Sequence, residues 1–116
     1  MTPRQPNLRL PVTALILAGG LAALGAATPA LAETRAEREA RCTAQAEIVD
    51  AALTARSAGQ RENRAIRDIA RARADHPTPY REAIAVLTGW VWSLPADQLG
   101  DETRTQFFTA CTGYAP

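Results

Sequence analysis

The sequence predicts an all-α protein, a small bundle of about four helices stapled by one disulfide and preceded by a cleaved signal peptide. Three observations predict it. Apolar residues after residue 32 recur at helical spacing and never alternate as they do in a strand. The only cysteines, Cys42 and Cys111, both lie in that part. An uncharged apolar segment with a cleavage motif comes before it.

The leader is read first. Arg4 and Arg9 form a basic start, and Leu10 to Ala32 runs for 23 residues without a charge. The run ends in Ala30-Leu31-Ala32, a small-x-small site. Residues 1–32 are expected to be a signal peptide cut after Ala32, with residues 33–116 forming a single helical domain. The rival reading is an uncleaved anchor, because the run is long enough to span a bilayer. Gly19-Gly20, Gly25 and Pro29 argue against it. Glu33 rather than a cysteine follows the cut, so a lipid-modified terminus is not expected. Arg4 and Arg9 are not adjacent, so no twin-arginine signal is present. The implied address is periplasmic or secreted, with no membrane span after cleavage.

All 13 basic residues are arginine, and 11 of them lie after Ala32 against all 12 acids. The exported part is thus near neutral. It lacks the strong basic excess of a nucleic-acid-binding domain, so no nucleic acid is expected as a partner. Large apolar residues (Ile, Leu, Val, Phe, Trp, Tyr) number only 17 in these 84 residues. So small a core is marginal without a covalent clip. In an oxidising compartment Cys42 and Cys111 are expected to form that clip. Two free thiols or an intermolecular bridge are the alternatives. No Cys-x-x-Cys is present, so a redox pair or haem attachment is not expected.

Glu33 to Ser57 reads as the first helix, rich in alanine, glutamate and arginine. Cys42, Ala46, Val49 and Leu53 make its apolar stripe, and Glu37 is placed to pair with Arg41. No large apolar residue precedes Cys42, which predicts a frayed start. Gly59 suits a left-handed helix end. Arg61 to Ala74 reads as the second helix, with Ile66, Ile69, Ala70 and Arg73 on one side. Asp75-His76-Pro77 stops it. Thr78-Pro79 then predicts a threonine cap followed by proline at the first helical position.

Tyr80 to Ser93 is the most apolar helix. Tyr80, Ile84, Leu87, Val91 and Leu94 form its face, widened by Ala83 and Trp90. Ala85 and Gly89, four apart, predict close approach by another helix. Leu94-Pro95 ends it, and Ala96 to Leu99 reads as a short helical turn. The last helix is expected over Glu102 to Thr112, capped by Asp101 or a neighbour, with Phe107, Phe108 and Cys111 inward. Gly113 closes it.

The catalytic inventory is thin, and no catalytic, metal or cofactor-binding residues are assigned. His76 is the only histidine, and a turn position makes it a surface residue rather than a general base. No Gly-rich phosphate loop follows a strand. Nothing in the spacing of the acids selects a pair for hydrolysis. The clearest polar feature is Arg56, Arg61, Arg64, Arg67, Arg71 and Arg73, offset only by Glu62 and Asp68. Arg64, Arg67 and Arg71 share a helix face. They are the candidate surface for an unknown protein or an anionic envelope component, set against the plainer reading of a solvated face. Trp90 and Trp92 cannot both point inward. Trp90 is assigned to the core, and Trp92 either caps the core edge or anchors a partner.

Cys42 in the first helix, Arg56-x-x-Gly59 at its end, Trp92-x-x-Pro95 and Phe107-x-x-x-Cys111 together resemble a known pattern. It is that of small uncharacterised exported two-cysteine helical proteins of proteobacteria. The resemblance implies a helical fold and a periplasmic address, and brings no activity. By architecture alone, periplasmic acid-stress chaperones and immunity proteins are also similar. The expected function is a non-enzymatic periplasmic binding module. The alternatives are an acid-stress chaperone, an immunity-type inhibitor, or a hydrolase of an envelope polymer.

Overall fold

A computed structural model describes residues 32–114. The expected leader, apart from Ala32, lies outside the described residues, as does its cut-or-kept alternative. From Glu33 onward the chain forms one compact unit. Its elements are α1 (Arg35–Ser57), α2 (Glu62–Ala72), α3 (Thr78–Ser93), a short 3-10 turn (Ala96–Gln98) and α4 (Asp101–Gly113). Among the described residues there is no strand, and no helix is long and apolar enough to cross a membrane.

The first helix is the axis, and α2, α3 and α4 all pack against it. Its alanines explain how. Ala44, Ala46, Ala52 and Ala55 are buried alongside Cys42, Ile48, Val49 and Leu53. Small side chains let several helices close on one rod without voids. Ile69 from α2 and Ile84 and Val91 from α3 complete the buried cluster, with Ile66, Leu87, Trp92 and Phe107 packed around it. On α2 the most buried residue is Ala65, which the expected Ile66–Arg73 side left out.

Cys42 and Cys111 are bonded, with Cα atoms 5.7 Å apart, and so tie α1 to α4. A bonded pair belongs to an oxidising compartment.

The start of α1 is ordered, not frayed. Thr34 and Glu37 form a capping box, with the Thr34 hydroxyl accepting from the Glu37 amide and the Glu37 carboxylate accepting from the Thr34 amide. Glu37 is therefore not the partner of Arg41. That partner is Glu33. The other end of α1 closes as expected, with Gly59 at φ +78°. The Gln60 amide donates to the Ala55 carbonyl and the Gly59 amide to that of Arg56, a Schellman closure.

The start of α3 differs from expectation, while α4 is capped at a neighbour of Asp101. Thr78 is itself the first residue of α3, and the helix begins at the Pro77 carbonyl. The Thr78 hydroxyl accepts from Arg81 Nη2 instead, at 3.0 Å. At α4 the cap position is Gly100, so Asp101 does not cap. The buried Thr103 hydroxyl donates back to the Gln98 carbonyl and pins the entry.

The inner face of α3 is rotated from the one its large residues suggest. Thr88 is fully buried, which brings Trp92 toward the core and turns Trp90 out, to 38% exposure. Weighting only large apolar side chains gives nothing to Thr88, so the sequence reading centred the face wrongly. The Thr88 hydroxyl has no hydrogen-bond partner among the described residues. Gly89 faces the start of α2 and meets Glu62, whose Oε1 would lie 3.3 Å from a Cβ there. Phe108 on α4, expected inside, is among the exposed large residues, while Phe107 packs on the core.

Arg56 sets the end of α3. In an unbroken helix the Val91 carbonyl would accept from the amide of residue 95, but Pro95 has none. Arg56 Nη1 reaches over from α1 and donates to both the Val91 and Leu94 carbonyls, each at 2.6 Å. The Leu94 amide also donates to the Val91 carbonyl, at 3.2 Å, and the guanidinium supplies the further donor that Pro95 lacks.

Two stability measurements test this arrangement. Arg56→Ala is expected to cost about 2 kcal/mol, the scale of a charged hydrogen bond to a buried carbonyl. Part of that loss returns in the double variant with Pro95→Ala, where position 95 regains an amide. Additive urea midpoints across the four proteins would show that the two positions are not linked. Reduction of the Cys42–Cys111 bond, which closes a loop of sequence separation 69, is expected to cost about 4 kcal/mol. An unchanged urea midpoint in reductant would remove the staple from the stability account.

Candidate functional site

The six arginines of the predicted feature do not act together. Arg56 is spent on the end of α3. Arg73 is half-buried beyond α2 and donates from Nη2 to the Glu47 carbonyl at 3.2 Å, locking α2 onto α1. Arg61, Arg64, Arg67 and Arg71 remain exposed along α2.

The acids along α2 offset them weakly. Arg64 Nε and Arg71 Nη1 lie 3.7 and 3.8 Å from the Asp68 carboxylate. These contacts are long and solvent-exposed, so each contributes little. Glu62 is half-buried and turned toward Gly89 on α3. Arg61 and Arg67 have no ion pair among the described residues.

An open hollow of about 680 Å³ lies at the α1–α2 corner. Arg61, Asn63, Arg64 and Arg67 line it from α2, and the Ala58–Gln60 turn closes its other side. Its rim carries no carboxylate. Arg71, part of the predicted face, lies outside it. Trp92, the predicted partner anchor, is half-buried against the core, which is the edge-packing alternative. Trp90 is the more exposed, with its ring 5.7 Å from that of Phe107. His76 is half-buried in the turn after α2.

A second polar cluster sits at the disulfide end. Arg41 grips Glu33 with two parallel hydrogen bonds, Nε to Oε1 at 2.7 Å and Nη2 to Oε2 at 3.0 Å. Arg38 Nε stands 3.7 Å from the same carboxylate. The remaining Arg41 nitrogen, Nη1, lies 3.4 Å from Cys111 Sγ. The start of α1 is thus fastened to α4 beside the disulfide. The hydrogen bonds from Arg41 hold the Glu33 carboxyl below its ordinary range. Partial burial opposes this, and the Arg41 and Arg38 charges add to it. The sequence reading missed this cluster. The Thr34-x-x-Glu37 capping signal was legible and would have shown that Glu37 was occupied. Nothing in the order of residues indicates that Arg41 meets Cys111.

Among the described residues no group of three or more His, Cys, Asp or Glu could hold a metal ion. None of the 12 acids is buried. The chain matches no protein-family model, no curated protein and no solved structure.

The Glu33 clamp gives a pH dependence of known sign. A carboxyl held below its unfolded value stabilises the fold above that value and loses the contribution as pH falls through the folded one. The protection of the amides in the first turns of α1, taken as exchange relative to the unfolded-chain rate at the same pH, is therefore expected to fall once pH drops below the ordinary Glu value of 4.5. Glu33→Gln should be less protected already at neutral pH and show no further fall there. Identical protection profiles for the two proteins would remove the clamp from the account.

Proposed function

We propose that residues 33–116 act, after export, as a non-enzymatic binding module of the bacterial periplasm. The partner carries negative charge and meets the outer face of α2. One observation carries this reading. Arg64, Arg67 and Arg71 on α2 and Arg61 at its N-cap are all exposed, and the acids near them are turned away or only loosely paired. In a near-neutral domain such a local excess raises the concentration of anions at that face and speeds their encounter. Arg73, donating to the Glu47 carbonyl, fixes the end of α2 on α1 behind the face. The spread of the acids over exposed and half-buried positions favours binding over hydrolysis, which needs two carboxylates in a shared pocket.

The leader read from the sequence supports the periplasmic address, as does the bonded cysteine pair. Cross-linking in the native envelope tests the function. The Arg64→Glu/Arg67→Glu/Arg71→Glu variant is expected to lose the cross-links of the wild type, while Arg104→Glu on α4 keeps them. Equal cross-links from all three proteins would move the binding face elsewhere.

The pairing of Glu33 with Arg41 favours a second reading, an acid-stress chaperone that opens as such carboxylates are protonated. It requires apolar-dye binding to rise over the same fall in pH. Loosening of α1 without dye binding excludes it.

A further inference from the structure

The arginine face is uneven, and its unevenness points to a ligand class. Arg61, Arg64 and Arg67 converge on the α1–α2 hollow, whereas Arg71 lies apart from it, near Asp68. The lining holds three guanidinium groups and the Asn63 amide, and no acid. Of the two carboxylates next to these residues in sequence, that of Glu62 is directed at Gly89 on α3, and that of Asp68 stands outside the lining, 3.7 Å from Arg64 Nε in a loose, exposed contact. Two of the three guanidinium groups, those of Arg61 and Arg67, have no anionic partner among the described residues.

We infer that this hollow is a site for the phosphate group of a phosphomonoester. The proposal rests on the anionic-partner reading above and narrows it. Guanidinium groups present a planar fork of donors that matches a phosphate's oxygens two at a time. Three of them set around one hollow suit the doubly charged phosphate of a monoester better than the single charge of a diester. The hollow, at about 680 Å³ and open on one side, is far larger than the ion itself. The esterified remainder of the ligand extends through that open side. The Ala58–Gln60 wall sets little in the way, since Gly59 has nothing within 4 Å of where a Cβ would stand. The same chemistry is offered by a soluble sugar or glycerol phosphate and by a lipid ending in phosphate, so the experiment separates the two sources.

The oxidised protein, labelled with nitrogen-15, is titrated at low salt with glycerol phosphate, with inorganic phosphate and with glycerol. Glycerol phosphate is expected to shift the amides from Ala58 to Arg67, and glycerol to shift none. Arg61→Ala/Arg67→Ala is expected to weaken binding at least about tenfold, the scale of one lost charged contact, with an unchanged helical spectrum because both residues are exposed. Arg71→Ala should weaken it by less than about twofold, as an exposed charge outside the site. Vesicles of phosphatidylcholine carrying phosphatidic acid or phosphatidylglycerol provide the second arm. Retention on phosphatidic acid alone assigns the phosphate to lipid, and binding of glycerol phosphate without vesicle retention assigns it to a soluble ester. Absence of any shift overturns the site. So does an Arg71→Ala effect as large as that of Arg61→Ala/Arg67→Ala, which would mean diffuse attraction. If the charge-reversal variant loses its envelope cross-links while no phosphate binds, the site is wrong and the anionic-partner reading stands. If phosphate binds while the reversal keeps its cross-links, the site stands and that reading fails.

Discussion

Cys42 lies at the middle of the packing problem. It is fully buried on α1, the helix that every other helix touches, and its sulfur bonds to α4 near the end of the chain. A core of mostly alanine, isoleucine and valine supplies limited apolar area, so entropy lost from the unfolded chain carries weight. The bond constrains the chain across most of the described domain. Other contacts act within the arrangement this link sets: the Arg41 grip on Glu33 beside it, the packing of Phe107 on the core, and the pinned entry of α4 at Thr103.

Arginine serves three different purposes in this one domain. Arg56 replaces an amide that proline cannot provide, Arg73 ties α2 to a carbonyl of α1, and Arg41 bridges a carboxylate and the disulfide end. Those three are structural. The four on the exposed side of α2 have little to bind within the chain, which is what makes them candidates for recognition. A planar, permanently charged group with five donors can fill either part, and only its surroundings decide which.

Much of the architecture was legible in the residues. Helical spacing, Gly59 and Pro95 marked where α1 and α3 end, and two cysteines after an expected signal peptide implied the staple. Several things were misread, for definite physical reasons. Thr88 is polar yet fully buried, so the face of α3 was centred wrongly and Trp90, assigned to the core, is turned outward, while Trp92 packs on the core edge as one of its two readings held. Phe108 adjoins Phe107 on α4, and both could not face inward when Cys111 fixed the rotation of that helix. Arg56 was counted with the surface charges because its acceptors are 35 and 38 residues away.

The order of amino acids by itself determined the helical class, the positions of the breaks, the near-neutral balance and the cysteine pair, because each follows from local conformational preference or composition. The tertiary structure alone decided which arginines remain open, which tryptophan faces solvent, and that a hollow without acids lies at the α1–α2 corner. Those facts depend on the rotation of each helix about its own axis. That rotation is chosen by competing contacts between segments distant in the chain, and no local preference records it.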